Sequence, residues 1–312
     1  MGELLAPFAY DYMIKAMWVC ALVGATCAFL SAYLMLKGWS LMGDALAHSI
    51  VPGVAGAYLL KIPYAAGAFF AGLLAALGMA FVKSQTKLRE DAIIGLVFTS
   101  FFAAGLLMVS IYPTSVNVQS IVLGNILGIS DEDAWQVVII SAITFTVLLI
   151  TWKDLVVVFF DEGHARSVGL NPTFLKILFF TLLSAATVAA LQTVGACLVI
   201  AMVITPGATA YLLTDQFNRL LIIAIAIGSG TSFLGAYLSF FVDGATGGVI
   251  VTLQTLMFLA AFYLAPKHGV LAVRRQAARA SSEASDVPDV PDVSDVSDVS
   301  GASKLSNTGE AS

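Results

Sequence analysis

Asp44 and His48 stand four residues apart in Gly43-Asp44-Ala45-Leu46-Ala47-His48-Ser49-Ile50-Val51-Pro52-Gly53, a stretch otherwise apolar enough for burial in lipid. On a helix, positions i and i+4 share one face, so carboxylate and imidazole point the same way. A carboxylate and a neutral imidazole are oxygen and nitrogen ligands suited to a divalent cation. Pro52 and Gly53 follow within a turn and predict a break that frees backbone carbonyls, as in the interrupted helices of transporters. The alternative makes Asp44 a helix N-cap, for which Asp is favoured, and His48 an interfacial residue. Two ligands are too few to hold a transported ion. A two-fold dimer would bring a second Asp44 and His48 to the axis, a mixed set that suits Mn²⁺ or Fe²⁺ and can also hold Zn²⁺.

What singles this pair out is its surroundings. Ionisable side chains within membrane segments are costly and usually mark a pathway. No Asp, Glu, Lys, Arg or His occurs in 16–36, 62–82, 92–130, 134–152, 177–214, 220–242 or 244–266. Composition agrees with a polytopic membrane protein: of 312 residues, 59% are hydrophobic, 11% are charged, and the mean hydropathy is +0.92. A nucleic-acid partner is not expected. The first apolar run, 16–36, is too long for the core of a secretory signal and lacks a convincing cleavage site. Cys20, Cys27 and Cys197 lie in apolar runs and read as small hydrophobes, with no disulfide framework.

Eight apolar stretches are long enough to span a core of roughly 30 Å, which takes about 20 residues. They run over 13–36, 63–82, 91–111, 134–152, 174–191, 195–213, 220–241 and 247–265. Segment 44–60 makes a ninth, shorter and interrupted, while 116–127 reads as interfacial or re-entrant. The fold class expected is therefore all-α, with about nine transmembrane helices and eight to ten as the range. Nine spans put Lys37, Lys83, Lys87, Arg89, His164, Arg166, Arg219, Lys267, Arg274, Arg275 and Arg279 on one side, which the positive-inside rule makes the cytoplasm. The opposite loops carry Asp131, Glu132, Asp133 and Asp243, with Lys61 the one base. The N-terminus is then outside and the C-terminus inside. Asp44 falls near the cytoplasmic end of its span in this scheme, so either its helix begins near Leu41 or the preceding loop dips into the membrane.

Glycine and alanine line several spans, notably Gly24, Ala25 and Ala28, then Gly67, Ala71, Gly72 and Gly78, then Gly228, Gly230 and Gly235. Small residues let membrane helices approach closely. Thr205-Pro206-Gly207 predicts a kink in the seventh span, serving as a hinge or simply as a packing accommodation. Residues 1–279 form the membrane domain, and 280–312 read as a disordered acidic tail with Asp-Val-Pro and Asp-Val-Ser at period three. Of 15 bases and 20 acids in the chain, one base and seven acids lie after Ala280. The rest therefore carries 14 and 13, a net of +1, so the overall −5 belongs to the tail.

A second stretch, Phe159-Phe160-Asp161-Glu162-Gly163-His164-Ala165-Arg166-Ser167-Val168-Gly169-Leu170-Asn171, predicts a short helix outside the membrane, ended by Gly and an Asn-Pro stop. Taken alone it fits an ordinary juxtamembrane helix equally well.

Three motifs occur in order: Gly43-Asp44-Ala45-x-x-His48-Ser49-x-x-Pro52-Gly53, then Phe160-Asp161-x-x-His164-Ala165-x-x-x-Gly169-Leu170-Asn171, then Thr205-Pro206-x-Ala208-Thr209-Ala210. Together they resemble the transmembrane subunit of bacterial ABC importers for manganese, iron and zinc, over about residues 10–270. The resemblance implies an all-helical permease, not an enzyme, that works as a homo- or heterodimer with a second permease subunit and two ATPase subunits in the bacterial inner membrane. It further implies an extracytoplasmic metal-binding protein and a transported divalent metal rather than a permanently bound cofactor. Asp44 and His48 match the metal ligands of the family. Phe160, Asp161, His164, Ala165, Arg166, Gly169 and Leu170 match its coupling helix, which sits in a groove of the ATPase. No Gly-x-x-x-x-Gly-Lys-[Ser/Thr] phosphate loop occurs in the chain, so ATP hydrolysis belongs to a separate subunit. The Ser49-Ile50-Val51-Pro52-Gly53 continuation looks more like the manganese and iron branch. The alternatives are an ion-coupled secondary transporter, with Asp44 binding protons or Na⁺, and a structural membrane scaffold.

Overall fold

A computed structural model describes residues 3–39, 41–111 and 130–265, and no strand occurs among them. A 3-10 helix, Glu3–Ala9, leads into α1 (Asp11–Lys37), α2 (Met42–Ser49), α3 (Val51–Leu60), α4 (Tyr64–Gln85) and α5 (Glu90–Ile111). After the undescribed stretch come α6 (Asp131–Phe160), α7 (Glu162–Ser167), α8 (Pro172–Val194), α9 (Ala196–Leu213), α10 (Phe217–Val242) and α11 (Thr246–Leu264). Seven of these, α1, α4, α5, α6, α8, α10 and α11, are long and apolar enough to cross a membrane. With the shorter α9 and the interrupted pair α2–α3, the described residues accommodate nine passes. The expectations for 116–127 and for the tail 280–312 lie outside the described residues, as does the side chain of Cys197.

Helix α6 corrects the expected span 134–152. Ser130 caps its start, accepting the Asp133 N–H at 3.2 Å. At the other end the helix runs eight residues past Trp152, because Leu155, Val158 and Phe159 continue its buried face while Lys153 and Asp154 point outward.

The remaining helices gather around α1, most of whose apolar length is buried and which touches α6, α8, α9 and α10. Glycine sets the close crossing of α1 with α10. A Cβ on Gly24 would lie 2.5 Å from the Gly228 carbonyl oxygen, and one on Gly228 would lie 2.6 Å from that of Gly24. Gly72 against Ser184 and Gly235 against Ile250 do the same for α4 with α8 and α10 with α11. Gly230, by contrast, faces open space, so its small size serves no contact among the described residues.

Pro206 does not end α9, which runs through it. Ser31 of α1 patches the site: its Oγ donates to the Ile204 carbonyl at 3.0 Å and accepts the Gly207 N–H at 3.0 Å. Only glycine fits at 207, where a Cβ would come within 2.4 Å of that hydroxyl.

The two ends of the bundle differ in charge. At one, Lys15 pairs with Asp131 at 3.1 Å, and Phe8 and Tyr10 lie against Tyr237 and Phe240 of α10. At the other, Trp39, Lys83, Glu90, Glu162 and Lys176 come together from five separate loops and helix ends.

Candidate metal site

The chain reaches the site through a tight turn. Gly38, at φ +70°, closes α1, with its N–H on the Met35 carbonyl (3.1 Å) and the Trp39 N–H on that of Leu34 (2.8 Å). Trp39 then turns inward. It is buried, stacked on Phe180 at 5.6 Å and edge-on to Phe159 at 5.6 Å, so the connection dips between α6 and α8. Helix α2 starts at Met42, with Leu41 in the capping position and no side-chain cap. Asp44 is thus the third residue of the helix and not its N-cap. Its carboxylate turns along the helix instead, Oδ1 lying 3.3 Å from His48 Nε2.

The break falls at Ile50, two residues before the expected point. Pro52 has no N–H to return to the His48 carbonyl, and its ring crowds that oxygen. The His48 carbonyl accepts the Ile50 N–H, while Ser49 Oγ donates to the Ala45 carbonyl at 2.6 Å. Gly105 of α5 fits against the break, where a Cβ would meet the Pro52 nitrogen at 2.8 Å.

The neighbours fix the depth. His48 lies against Phe98 and Phe102, with ring centroids at 5.7 and 5.8 Å. At 1.5 Å per residue these rings are roughly 12 and 18 Å along α5, a helix about 33 Å long. On the other side Gly43 touches Val203, near the middle of α9, with a Cβ position 3.1 Å from Cγ1. The pair therefore lies near half depth, because the connection before it dips inward. Side-chain exposure is 39% for Asp44 and 28% for His48, so both reach the surface of the single subunit. Among the described residues, no group of three His, Cys, Asp or Glu side chains forms a metal cage. One subunit thus presents one carboxylate and one imidazole side by side.

The second motif forms α7. Asp161 caps it, accepting the N–H of Gly163 at 2.8 Å and of His164 at 3.1 Å; these two bonds hold its carboxyl below the usual range. Gly169, at φ +87°, ends it, with its N–H on the Arg166 carbonyl (3.1 Å) and the Leu170 N–H on that of Ala165 (3.0 Å). Asn171 immediately caps α8 through the Phe174 N–H. Ala165 is buried and anchors the helix, whereas Phe160, His164, Arg166 and Val168 are exposed. Burial works to raise the Glu162 carboxyl, but the hydrogen bond and charge of Lys176, with Lys37 and Lys83 behind, hold it below its ordinary value.

Sequence reading did not single out Trp39, Glu90 or the two phenylalanines. Trp39 Nε1 donates to Glu90, which also binds Lys83, and the Lys83 ammonium sits 5.4 Å from the tryptophan ring centre. The spacing Phe98-x-x-x-Phe102 was the available signal for an aromatic face on α5. In an apolar span, however, it looks like any other lipid-facing pair.

A helical bundle whose described residues accommodate nine passes, with an interrupted helix carrying an acid and an imidazole at mid-depth and a capped short helix at its basic end, has the build of a membrane transport component. The ABC 3 transport family matches residues 9–265, and the chain belongs to that family. It is 74% identical over 271 residues to the chelated iron transport system membrane protein YfeC of Yersinia pestis, covering 87% of this chain and 92% of the relative. It is 47% identical over 272 residues to the manganese transport system membrane protein MntB of Synechocystis sp., covering 86% and 88%. Among solved structures, PsaBC from Streptococcus pneumoniae in complex with Fab superposes with a TM-score of 0.77 at 31% identity, covering 88% of this chain and 99% of that one. The chain is accordingly a multi-pass membrane component of an ABC transport system and not an enzyme.

Proposed function

We propose that this chain is the permease subunit of a bacterial inner-membrane importer that carries manganese or iron, with zinc as a further candidate cargo, into the cytoplasm. Asp44 and His48 are the cargo ligands, and a second permease subunit, identical or related, completes the set. An ATP-binding subunit docks on α7 through Phe160, Asp161, His164, Ala165, Arg166, Gly169 and Leu170. A separate extracytoplasmic metal-binding protein delivers the ion. The C-terminus, with the tail 280–312 appended to the membrane domain 1–279, is cytoplasmic. Relatives named for iron and for manganese transport support the cargo class. The carrying observation is the 3.3 Å Asp44–His48 pair at half depth, where an uncompensated acid is costly unless it serves a cation.

The test is reconstitution with the partner ATPase and the metal-binding protein in proteoliposomes, measuring Mn²⁺ and Fe²⁺ uptake with ATP hydrolysis. Asp44→Asn keeps shape and removes charge. We expect it to abolish uptake at wild-type expression; near-normal uptake would remove the site assignment. Gradient-driven uptake without the ATPase would instead support the ion-coupled alternative.

A further inference from the structure

Metal-binding imidazoles are ordinarily held by a second hydrogen bond, from the ring nitrogen that does not touch the metal to a carboxylate or carbonyl. His48 is held differently. Among the described residues its one polar partner is Asp44, itself a proposed ligand. The rest of the ring's surroundings on this side are aromatic. Phe98 lies tilted at 51° and Phe102 edge-on at 64°, while the two phenylalanines stack on each other at 5.9 Å and 18°. Their i, i+4 spacing on α5 makes them one continuous wall, and α5 packs along both α2 and α3. The wall flanks the imidazole on this side, while Nε2 lies toward Asp44.

We infer that Phe98 and Phe102 are positioning residues for the cargo site, acting through His48 to set the affinity for the transported ion. The inference rests on the proposed role of Asp44 and His48. Hydrogen-bonding supports of metal ligands are worth roughly 10- to 100-fold in metal affinity when removed, and Phe102→Leu, which keeps an apolar group but deletes the flat wall, should cost no more than the lower end of that range.

The experiment is a double-mutant cycle on the full chain reconstituted with its ATPase and a fixed, saturating level of the metal-binding protein, reading KM and maximal rate for Mn²⁺ uptake. Phe102→Leu should raise KM roughly tenfold with the maximal rate held within twofold, and Phe102→Tyr, which preserves the ring, should stay near wild type. In a His48→Ala background, Phe102→Leu should raise KM no further. Equal effects of Phe102→Leu in both backgrounds, or a fall in maximal rate at unchanged KM, would mean that the rings merely pack the bundle and would overturn the inference. Phe98→Leu provides the same readout if Phe102→Leu assembles poorly. If His48→Ala alone leaves KM unchanged, the site reading itself fails, a result distinct from failure of the wall.

Discussion

Gly53 and Gly67 meet backbone to backbone where α3 crosses α4. A Cβ on Gly53 would lie 2.1 Å from the Gly67 carbonyl oxygen, and a Cβ on Gly67 would lie 2.3 Å from that of Gly53. Neither obstacle is a flexible side chain, so a methyl group can be admitted only by separating the helices. Gly53→Val or Gly67→Val should therefore destabilise by about 1–3 kcal/mol or more, the range for overpacking, seen as a lower midpoint of thermal unfolding in detergent. Gly230→Ala, in open space on α10, is the matched control. It should be neutral or slightly stabilising, since Ala is the better helix former by up to about 1 kcal/mol.

Ser31 offers a second test. It is fully buried and serves two backbone groups of α9 beside Pro206. Ser31→Ala removes the hydroxyl from both the Gly207 N–H and the Ile204 carbonyl, and a buried polar group left without a partner costs about 1–3 kcal/mol. Thermal midpoints should fall accordingly. An unchanged midpoint would show that α9 satisfies itself through Pro206.

Much of this architecture was legible in the sequence, for identifiable reasons. Spans such as 195–213 and 220–241 agree with α9 and α10 to within three residues, because an apolar run ends where the helix leaves lipid. Helix α6 was read short because Lys153 and Asp154 look like a membrane boundary. A helix nevertheless continues past charges that can point outward, provided that residues such as Leu155 keep its other face buried. The break near Pro52 was visible but misplaced by two residues, since a proline disturbs the turn before it. Asp44 and His48 stood out by charge. Their depth did not, because it depends on Trp39 drawing the connection inward through Phe180 and Phe159, contacts with residues more than a hundred positions away.

Gly169 carries the third prediction. Its φ of +87° lies in a region that a bulky side chain enters only at a strain of about 1–3 kcal/mol. Gly169→Trp should disorder the end of α7 and lower the metal imported per ATP hydrolysed, and Arg166→Glu should do so by charge alone. Gly169→Asn should be better tolerated, because Asn enters the left-handed region more readily. An unchanged transport-to-hydrolysis ratio in both disruptive variants would detach α7 from coupling.

A fourth prediction concerns pH. The Glu162 carboxyl is held below its ordinary value of about 4.5, so its folded form binds protons less readily than its unfolded form. The stabilisation that Glu162 draws from Lys176 is then fully present above about pH 4.5 and is lost as pH falls through the lower folded value. Amide exchange in α7, taken relative to the intrinsic rate that acid itself slows, should quicken below that pH in the wild type. In Glu162→Gln it should already be faster at neutral pH and should change less on acidification. Because the pair is partly exposed, 0.5 M salt should shrink the difference.

The interruption at Ile50 has a mechanical consequence. Asp44 and His48 both lie on the eight-residue α2, ahead of the break, whereas α3 behind it is clamped to α4 by Gly53 and Gly67. Pivoting α2 about Ile50 would carry both proposed ligands as one rigid tooth, with their mutual spacing preserved, while the outer half of the crossing stayed in place. A bound ion could thus be swung toward one face or the other without first being let go.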